Sequence, residues 1–149
     1  MTPDEFKRKI AKMSVELRNC IDNDLPKIIG NRAVKMFKEN FQGEGFFGER
    51  WKNVKRRTNP PKRSKHPVDA TRKILTGRTG DLGRSIKLKT TKGLATIYSD
   101  AKTPKGYYYG LAHNEGTNRI PRRRFLANHP KIEAMAKAEI ERRIGNILK

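Results

Sequence analysis

The chain of 149 residues contains a single cysteine, Cys20. One thiol cannot form an intramolecular disulfide, and it cannot supply the cysteine-rich ligand set of a structural zinc site. Cys20 lies on the apolar face of a predicted helix, so we interpret it as a core side chain rather than a reactive thiol. This cysteine usage is typical of a protein that folds in a reducing cytoplasm.

Long apolar runs are also missing. No stretch approaches the ~20 apolar residues that a membrane-spanning helix needs. The first residues, MTPDEFKRKIAKM, mix acids and bases and lack the apolar segment of a secretory signal. Hydrophobic and charged residues each make up 34% of the chain, which favours one soluble domain over residues 1–149 with a lean core and no membrane partner.

Acidic residues are scarce. Lys and Arg number 35 against 15 Asp and Glu, for a net charge of +20, and no acid occurs between Arg50 and Lys65. Such a chain attracts nucleic acid or an acidic protein surface, and the charge alone does not decide between them. The candidate contacts to DNA or an acidic partner are Arg56, Arg57, Lys62, Arg63, Lys65, Arg122 and Arg124.

Apolar residues recur every three or four positions across residues 4–41, which predicts a long N-terminal helix. Pro26 interrupts it, because proline removes one backbone hydrogen bond and crowds the preceding turn. We therefore expect a kink or a helix–helix break near residue 25. Residues 42–73 have no such period and are rich in glycine, proline and bases, so we predict a long basic loop, with Trp51 fixed to the domain surface.

Residues 74–126 indicate an antiparallel sheet region, because the links between its segments are too short for crossover helices. A short helical turn carries Leu82, alternating residues predict strands on either side of a turn at residues 90–93, and Tyr107–Ala112 is predicted as a third strand. A C-terminal helix is predicted over residues 128–148, with Asn128 as its cap and an apolar stripe that includes Ile140. The fold class is α+β, with both helices packed on the small sheet.

Two clusters invite a catalytic interpretation. His113 and Glu115 would share one face of the predicted strand and could bind a metal or move protons. His66 and His129 lie beside prolines in unrelated segments, so no second pair of ligands stands at metal spacing. The glycines of TGRTGDLG lack the Lys-Ser/Thr step of a phosphate loop. We expect no enzyme activity, no metal and no cofactor.

The aromatic run Tyr107–Tyr109 could stack on bases, but at strand spacing we favour packing in the core or at a subunit interface. The successive arginines 122–124 could each contact phosphate. Three neighbours in an extended segment cannot all face one partner, however. At least one of them must point elsewhere.

Several short motifs follow one another in a specific order. FFGERW is followed by Leu75-Thr76-Gly77, then by a turn with Leu82 and by Ser85-Ile86. A segment of the type Tyr-x-x-x-His-x-x-Gly comes next, at Tyr109, His113 and Gly116. A segment of the type Ile-Pro-x-Arg-x-Phe-Leu ends the series, at Ile120, Pro121, Arg123, Phe125 and Leu126. In this order the chain resembles the bacteriophage virion morphogenesis family, which includes the tail-completion proteins of long-tailed phages, over roughly residues 34–145.

The resemblance implies a structural virion protein that completes the tail or joins head to tail. It implies a ring oligomer, a hexamer in such families, placed in the neck around the DNA channel and assembled in the bacterial cytoplasm. The implied partners are other copies of the chain, the tail terminator or tail tube, the head–tail connector and packaged double-stranded DNA. A long helix and a C-terminal helix packed on an antiparallel sheet are the implied fold.

The family pattern separates the three arginines. Arg123 matches the family arginine, and we interpret it as a former of a structural or interface ion pair. Arg122 and Arg124 replace residues that are often small or proline in the family, so they are the better candidates for an acidic partner or DNA. Candidate packing or oligomer residues are Trp51, Tyr109, Arg123, Phe125 and Leu126. The rival hypotheses are a general nucleic-acid-binding protein of ribosome or nucleoid type and, more remotely, a metal-dependent nuclease using His113 and Glu115.

Overall fold

The N-terminal helices are continuous through a widened turn. The computed structural model describes residues 1–62 and 67–149. Helix α1 spans Pro3–Asn19 and begins with a capping box between Thr2 and Glu5. A π-helical turn, Cys20–Asp24, joins it to helix α2, Leu25–Gly43. The break expected near residue 25 is therefore a π-bulge, in which the Leu25 amide bonds the carbonyl five residues earlier.

The segment predicted as a basic loop contains short regular elements. Strands β1, Gly45–Phe46, and β2, Glu49–Arg50, pair antiparallel as a hairpin. Helix α3, Lys55–Thr58, and a 3-10 turn, Pro67–Ala70, follow. The prediction of a loop without secondary structure was wrong here, because two-residue strands are too short to show an alternating pattern.

The second hairpin confirms the alternating pattern. Helix α4, Asp81–Arg84, is the predicted turn around Leu82. Strand β3 spans Ile86–Thr91, and β4 spans Leu94–Ser99 beside it. Together with the helices, these small antiparallel sheets make an α+β fold, as expected.

The predicted third strand at Tyr107–Ala112 is wrong. Helix α5 spans Tyr109–Glu115 instead. This helix is closely packed at Gly110, where an added Cβ would lie 3.3 Å from both Ala101 and Leu82. Tertiary packing thus outweighs the strand preference of the three tyrosines. Tyr107 and Tyr108 are exposed outside the helix, so they do not pack in the core of the chain, and their packing at a subunit interface stays a prediction.

The C-terminal helix, α6, spans Pro130–Ile147. Its cap is His129 rather than Asn128, because the His129 Nδ1 accepts the Lys131 amide. Ile140, predicted to belong to the apolar stripe, is exposed, and the buried residue of the helix is Glu139. No helix in the described ranges is both long and apolar enough to cross a bilayer.

Two compact units make up the chain. The first consists of Met1–Ala33, Leu88–Thr96 and Asn128–Lys149, and buries Cys20, Leu25 and Ala33. In it Leu88 lies so close to Gly30 that an added methyl group would come within 2.5 Å of its side chain. Glu139 forms ion pairs there with Arg32 and Arg142.

The second unit consists of Val34–Lys87 and Ile97–Ala127, and it contains most of the resemblance motifs. Its core is a cluster of aromatic rings. The Phe41 ring lies 5.4 Å from Trp51 and 5.6 Å from Phe125, in edge or tilted arrangements typical of packed aromatics. Phe37 and Phe46 form a stacked pair in the same unit, with ring centroids 6.3 Å apart.

Candidate functional site

The arginine segment is held against helix α5 by one buried amide side chain. The Asn114 Oδ1 accepts hydrogen bonds of 2.9 Å from the backbone amides of both Phe125 and Leu126. Its Nδ2 donates to the Leu126 carbonyl, and the Arg123 amide donates to the His113 carbonyl at 2.8 Å. The Asn114 side chain therefore satisfies backbone hydrogen-bonding groups of Phe125 and Leu126, as a neighbouring strand would in a sheet.

Trp51 fixes the same segment from the other side. Its ring is buried, and its Nε1 donates to the Arg124 carbonyl at 2.7 Å. Phe125 is among the most buried side chains of the described residues, at 1% exposure, and Leu126 is half-buried. These three predicted packing residues are thus brought together in the second unit.

The three arginines have three different surroundings. Arg122 is exposed, Arg124 is half-buried, and Arg123 is buried at 6% exposure. Arg123 donates from Nε to the Lys52 carbonyl at 2.7 Å and from Nη2 to the Asn53 carbonyl at 2.9 Å. In the described part of the chain its partners are backbone carbonyls, so the expected ion pair is not formed within the subunit.

Arg56 and Arg57, predicted to contact a polyanion, are both used inside the second unit. Arg56 donates to the carbonyls of Asp69, Arg72 and Lys73 at 2.8–3.0 Å. Arg57 forms a two-point ion pair with Glu44. That contact, assisted by a hydrogen bond from the Ile74 amide, lowers the pKa of Glu44 to about 2.

Of the remaining predicted contacts, Lys62 is exposed, and Arg63 and Lys65 lie outside the described residues. The five described candidates do not form one exposed surface, because Arg56 and Arg57 are half-buried and bonded within the second unit, whereas Lys62 and Arg122 are exposed.

A pocket of about 370 Å³ lies in the second unit, where several of the motifs meet. Its lining includes Thr76 and Leu82 from the first motif series, Tyr109 and His113 from the second, and Arg123 from the third, together with Arg56. Leu75, also in the lining, has a left-handed backbone with φ of 60°. Strained backbone of this kind persists only where the surrounding structure enforces it.

Burial shapes the charge of this pocket. Burial, and then the nearby Arg123, lower the pKa of His113, which favours its neutral form. The pKa of Arg123 is lowered by burial, and that of Arg56 by burial and by the neighbouring Arg72. Among the described residues, the His113 Nδ1 and the Arg72 Nε are buried without a hydrogen-bond partner.

The joint site of His113 and Glu115 is not formed. Both lie on helix α5, where residues two apart point to different sides, and Glu115 is exposed while His113 is half-buried. Residues 1–62 and 67–149 contain no group of three or more His, Cys, Asp or Glu side chains arranged to hold a metal ion. The pocket is instead lined by cationic donors together with apolar side chains, two threonines and the carboxylate of Asp81.

Comparison with models of protein families, with curated proteins and with solved structures gives no match. The candidate site therefore has to be interpreted from its own residues. Sequence reasoning missed Asn114 and the pocket position of Arg56, because both depend on contacts between distant segments. Asn114 lies between His113 and Glu115, and nothing in the sequence distinguished it from these polar neighbours.

Proposed function

We propose that this chain is a structural virion protein of the tail-completion or neck type, which assembles as a ring at the junction of a phage head and tail. One observation supports this most directly. Motif residues that are up to 48 positions apart, Leu75, His113 and Arg123 among them, line one pocket. Motifs that resemble a family in sequence and also meet in space act as one structural unit.

The fold and the charge support the same proposal. The α+β architecture with long terminal helices is the one that the resemblance implies. The net charge of +20 suits a protein that surrounds packaged DNA or contacts acidic neighbours, since in a ring the charge is multiplied by the number of subunits. Arg122 and Lys62 are exposed cations that could carry such contacts.

Purified particles of the phage that encodes the chain provide the test. We expect mass spectrometry to find the chain in intact virions, and cryo-electron microscopy to place it as a ring in the neck. Deleting the gene should leave DNA-filled heads and separate tails, and supplying the protein in trans should restore joined particles. Intact virions that lack the chain would refute the proposal.

A general nucleic-acid-binding protein is the second candidate, and the net charge favours it. Titrating duplex DNA with purified protein at increasing salt separates the two. A neck protein should bind duplexes of any sequence weakly, with a slope of ~0.9 in log K per neutralised phosphate. Tight, sequence-selective binding at physiological salt would support the second candidate instead.

A further inference from the structure

The pocket in the second unit contains two guanidinium groups without a carboxylate partner. In the described residues, neither Arg56 nor Arg123 lies within ion-pair distance of an acid, and residues 63–66 contain no acid. The acids nearby are already paired: Glu44 with Arg57, Asp69 with Arg72 and Arg78, and Asp81, which itself lines the pocket, with Arg84. Arg123 is buried at 6% exposure, and Arg56 is half-buried with the attraction of the Asp69 carboxylate set against three cationic neighbours. Buried positive charge of this kind is costly, so the pocket favours an incoming anion.

Both guanidinium groups also keep a donor for such an anion. Arg56 and Arg123 use Nε and Nη2 for backbone carbonyls, and in the part of the chain that the structure describes Nη1 of each makes no hydrogen bond. The carbonyl bonds hold the two groups in place. Donors fixed in this way lose little side-chain entropy when a ligand binds.

The walls of the pocket select the kind of anion. Val54, Leu75, Leu82 and the Tyr109 ring give it apolar sides, which suit a hydrocarbon stem. A duplex carries its phosphates on the outside of a wide cylinder, whereas Arg123 lines the pocket and is only 6% exposed. A slender side chain reaches such a group and a duplex does not.

We propose that this pocket receives the carboxylate of a glutamate or aspartate side chain from a partner protein. The carboxylate accepts charge-assisted hydrogen bonds from Nη1 of Arg56 and of Arg123, while its methylene stem packs on Leu75 and Leu82. The inference that the ligand is a carboxylate depends on the geometry of the pocket alone. The identity of the partner as another virion protein rests on the proposed function.

Capped single residues are suitable probes for the isolated, full-length chain. N-acetylglutamate methylamide carries one carboxylate on the correct stem, and the matched glutamine compound is its neutral control. Titrations followed by NMR at near-physiological salt report on the arginine Nε–H signals and the His113 ring. We expect the glutamate compound to shift these signals saturably and the glutamine compound to leave them unchanged.

A pair of threonine variants locates the binding. Thr76 lines the pocket, and its hydroxyl donates to the carbonyl three residues earlier, as does that of the exposed Thr71 outside the pocket. Thr76→Glu places a carboxylate in the pocket. It should lower the affinity for the glutamate compound by about tenfold or more, as expected for loss of a charge-assisted hydrogen bond. Thr71→Glu adds the same charge and loses the same type of bond, and it should leave the affinity unchanged.

Three results would overturn the proposal. The first is equal binding of the glutamate and glutamine compounds, or of neither. The second is binding of inorganic phosphate as tightly as, or more tightly than, the glutamate compound. The third is an equal effect of both threonine variants. A failed titration leaves the virion proposal standing, while virions that lack the chain leave a positive titration intact, so the two failures are distinguishable.

Discussion

The backbone carbonyl of Asp22 accepts a hydrogen bond of 2.9 Å from the amide of Gly93, in the turn between β3 and β4. In a regular α-helix this carbonyl would bond the amide of residue 26, but that residue is Pro26, which has no N–H. The π-bulge makes room for the proline, and the hairpin turn supplies the missing donor. One substitution-sensitive residue, Gly93, therefore links the hairpin to the helix in the first unit.

Gly93→Ala should destabilise the protein by about 1–2 kcal/mol, because Gly93 has a φ of 71° that residues with a side chain adopt at a cost. Urea unfolding measures this free energy, and amide exchange should find the Gly93 N–H protected. Gly145→Ala is the matched control. Gly145 lies in α6 with nothing near its missing methyl group, so alanine should stabilise by about 0.5–1 kcal/mol. Equal effects of both changes would contradict this account.

Asn114→Ala should cost about 2–4 kcal/mol of unfolding free energy, because the amides of Phe125 and Leu126 would lose their acceptor in a buried place. Asn114→Asp keeps the accepting oxygen and should cost less at neutral pH. The exposed Asn118, on the following loop, provides the control: Asn118→Ala should change stability by under about 0.5 kcal/mol. Chemical denaturation of the three variants decides, and a mild effect of Asn114→Ala would refute the role of its side chain.

The contrast between the β3–β4 hairpin and Asn114 shows what local pattern can predict. Alternation of apolar and polar residues is a property of neighbouring positions, so strands β3 and β4 could be predicted. The bonds of Asn114 join it to positions 11 and 12 residues away, and no local period encodes them. Helix α5 was missed for a related reason: close packing at Gly110 depends on Leu82 and Ala101, which come from other segments.

Pro26 and the pocket also show that local sequence patterns do not encode contacts between distant segments. The proline correctly indicated a disturbance of the helix, but the donor that bonds the Asp22 carbonyl is Gly93, far along the chain. The motifs singled out residues 75–126 in the sequence, and the meeting of several motif residues in one pocket follows from the fold. Arg56 was predicted to contact a polyanion because of its charge alone, whereas in the structure it lines a pocket together with Arg123.

Phe125→Ala should destabilise the second unit by about 3–5 kcal/mol, since the side chain is 1% exposed and packs on Phe41. Thermal and urea unfolding measure the loss. Leu111→Ala, on the exposed side of α5 at 63% exposure, removes an apolar side chain without opening a cavity. We expect it to be nearly neutral, and a loss equal to that of Phe125→Ala would show that burial does not explain the effect.

Acid should weaken the protein through Glu44. Its pKa is about 2 in the folded state against an ordinary value of 4.5, chiefly because of the hydrogen bond from Arg57. The folded state therefore binds fewer protons than the unfolded state in this window, and the stabilisation is complete above pH 4.5 and is lost as the pH falls towards 2. The contribution is up to about 3 kcal/mol.

Glu44→Gln tests this contribution, because it removes the titrating group. Unfolding free energies of the variant and the parent should differ most above pH 5 and converge in stronger acid. Glu49→Gln changes an exposed glutamate of the same hairpin and should follow the parent at every pH. A constant gap between Glu44→Gln and the parent down to pH 2 would refute the assignment.

The double change Arg122→Ala with Arg124→Ala should leave the fold intact. Arg122 is exposed, and the contact of Arg124 with Trp51 uses its backbone carbonyl, which alanine retains. Binding to duplex DNA should weaken, and the salt slope should fall by ~0.9 for each phosphate contact that is lost. Circular dichroism and fluorescence anisotropy measure the two properties.

Arg123→Ala is the contrasting variant, because it removes the same charge from a buried position. The carbonyls of Lys52 and Asn53 lose their donor, so stability should fall by about 2–4 kcal/mol. The salt slope of duplex binding should stay at the parent value wherever the protein remains folded, since a side chain that is 6% exposed cannot reach a phosphate on a duplex. Two outcomes would contradict the assignment of DNA binding to Arg122 and Arg124 and of a structural role to Arg123. One is unfolding of the double variant. The other is an Arg123→Ala protein that remains stable but loses a phosphate contact.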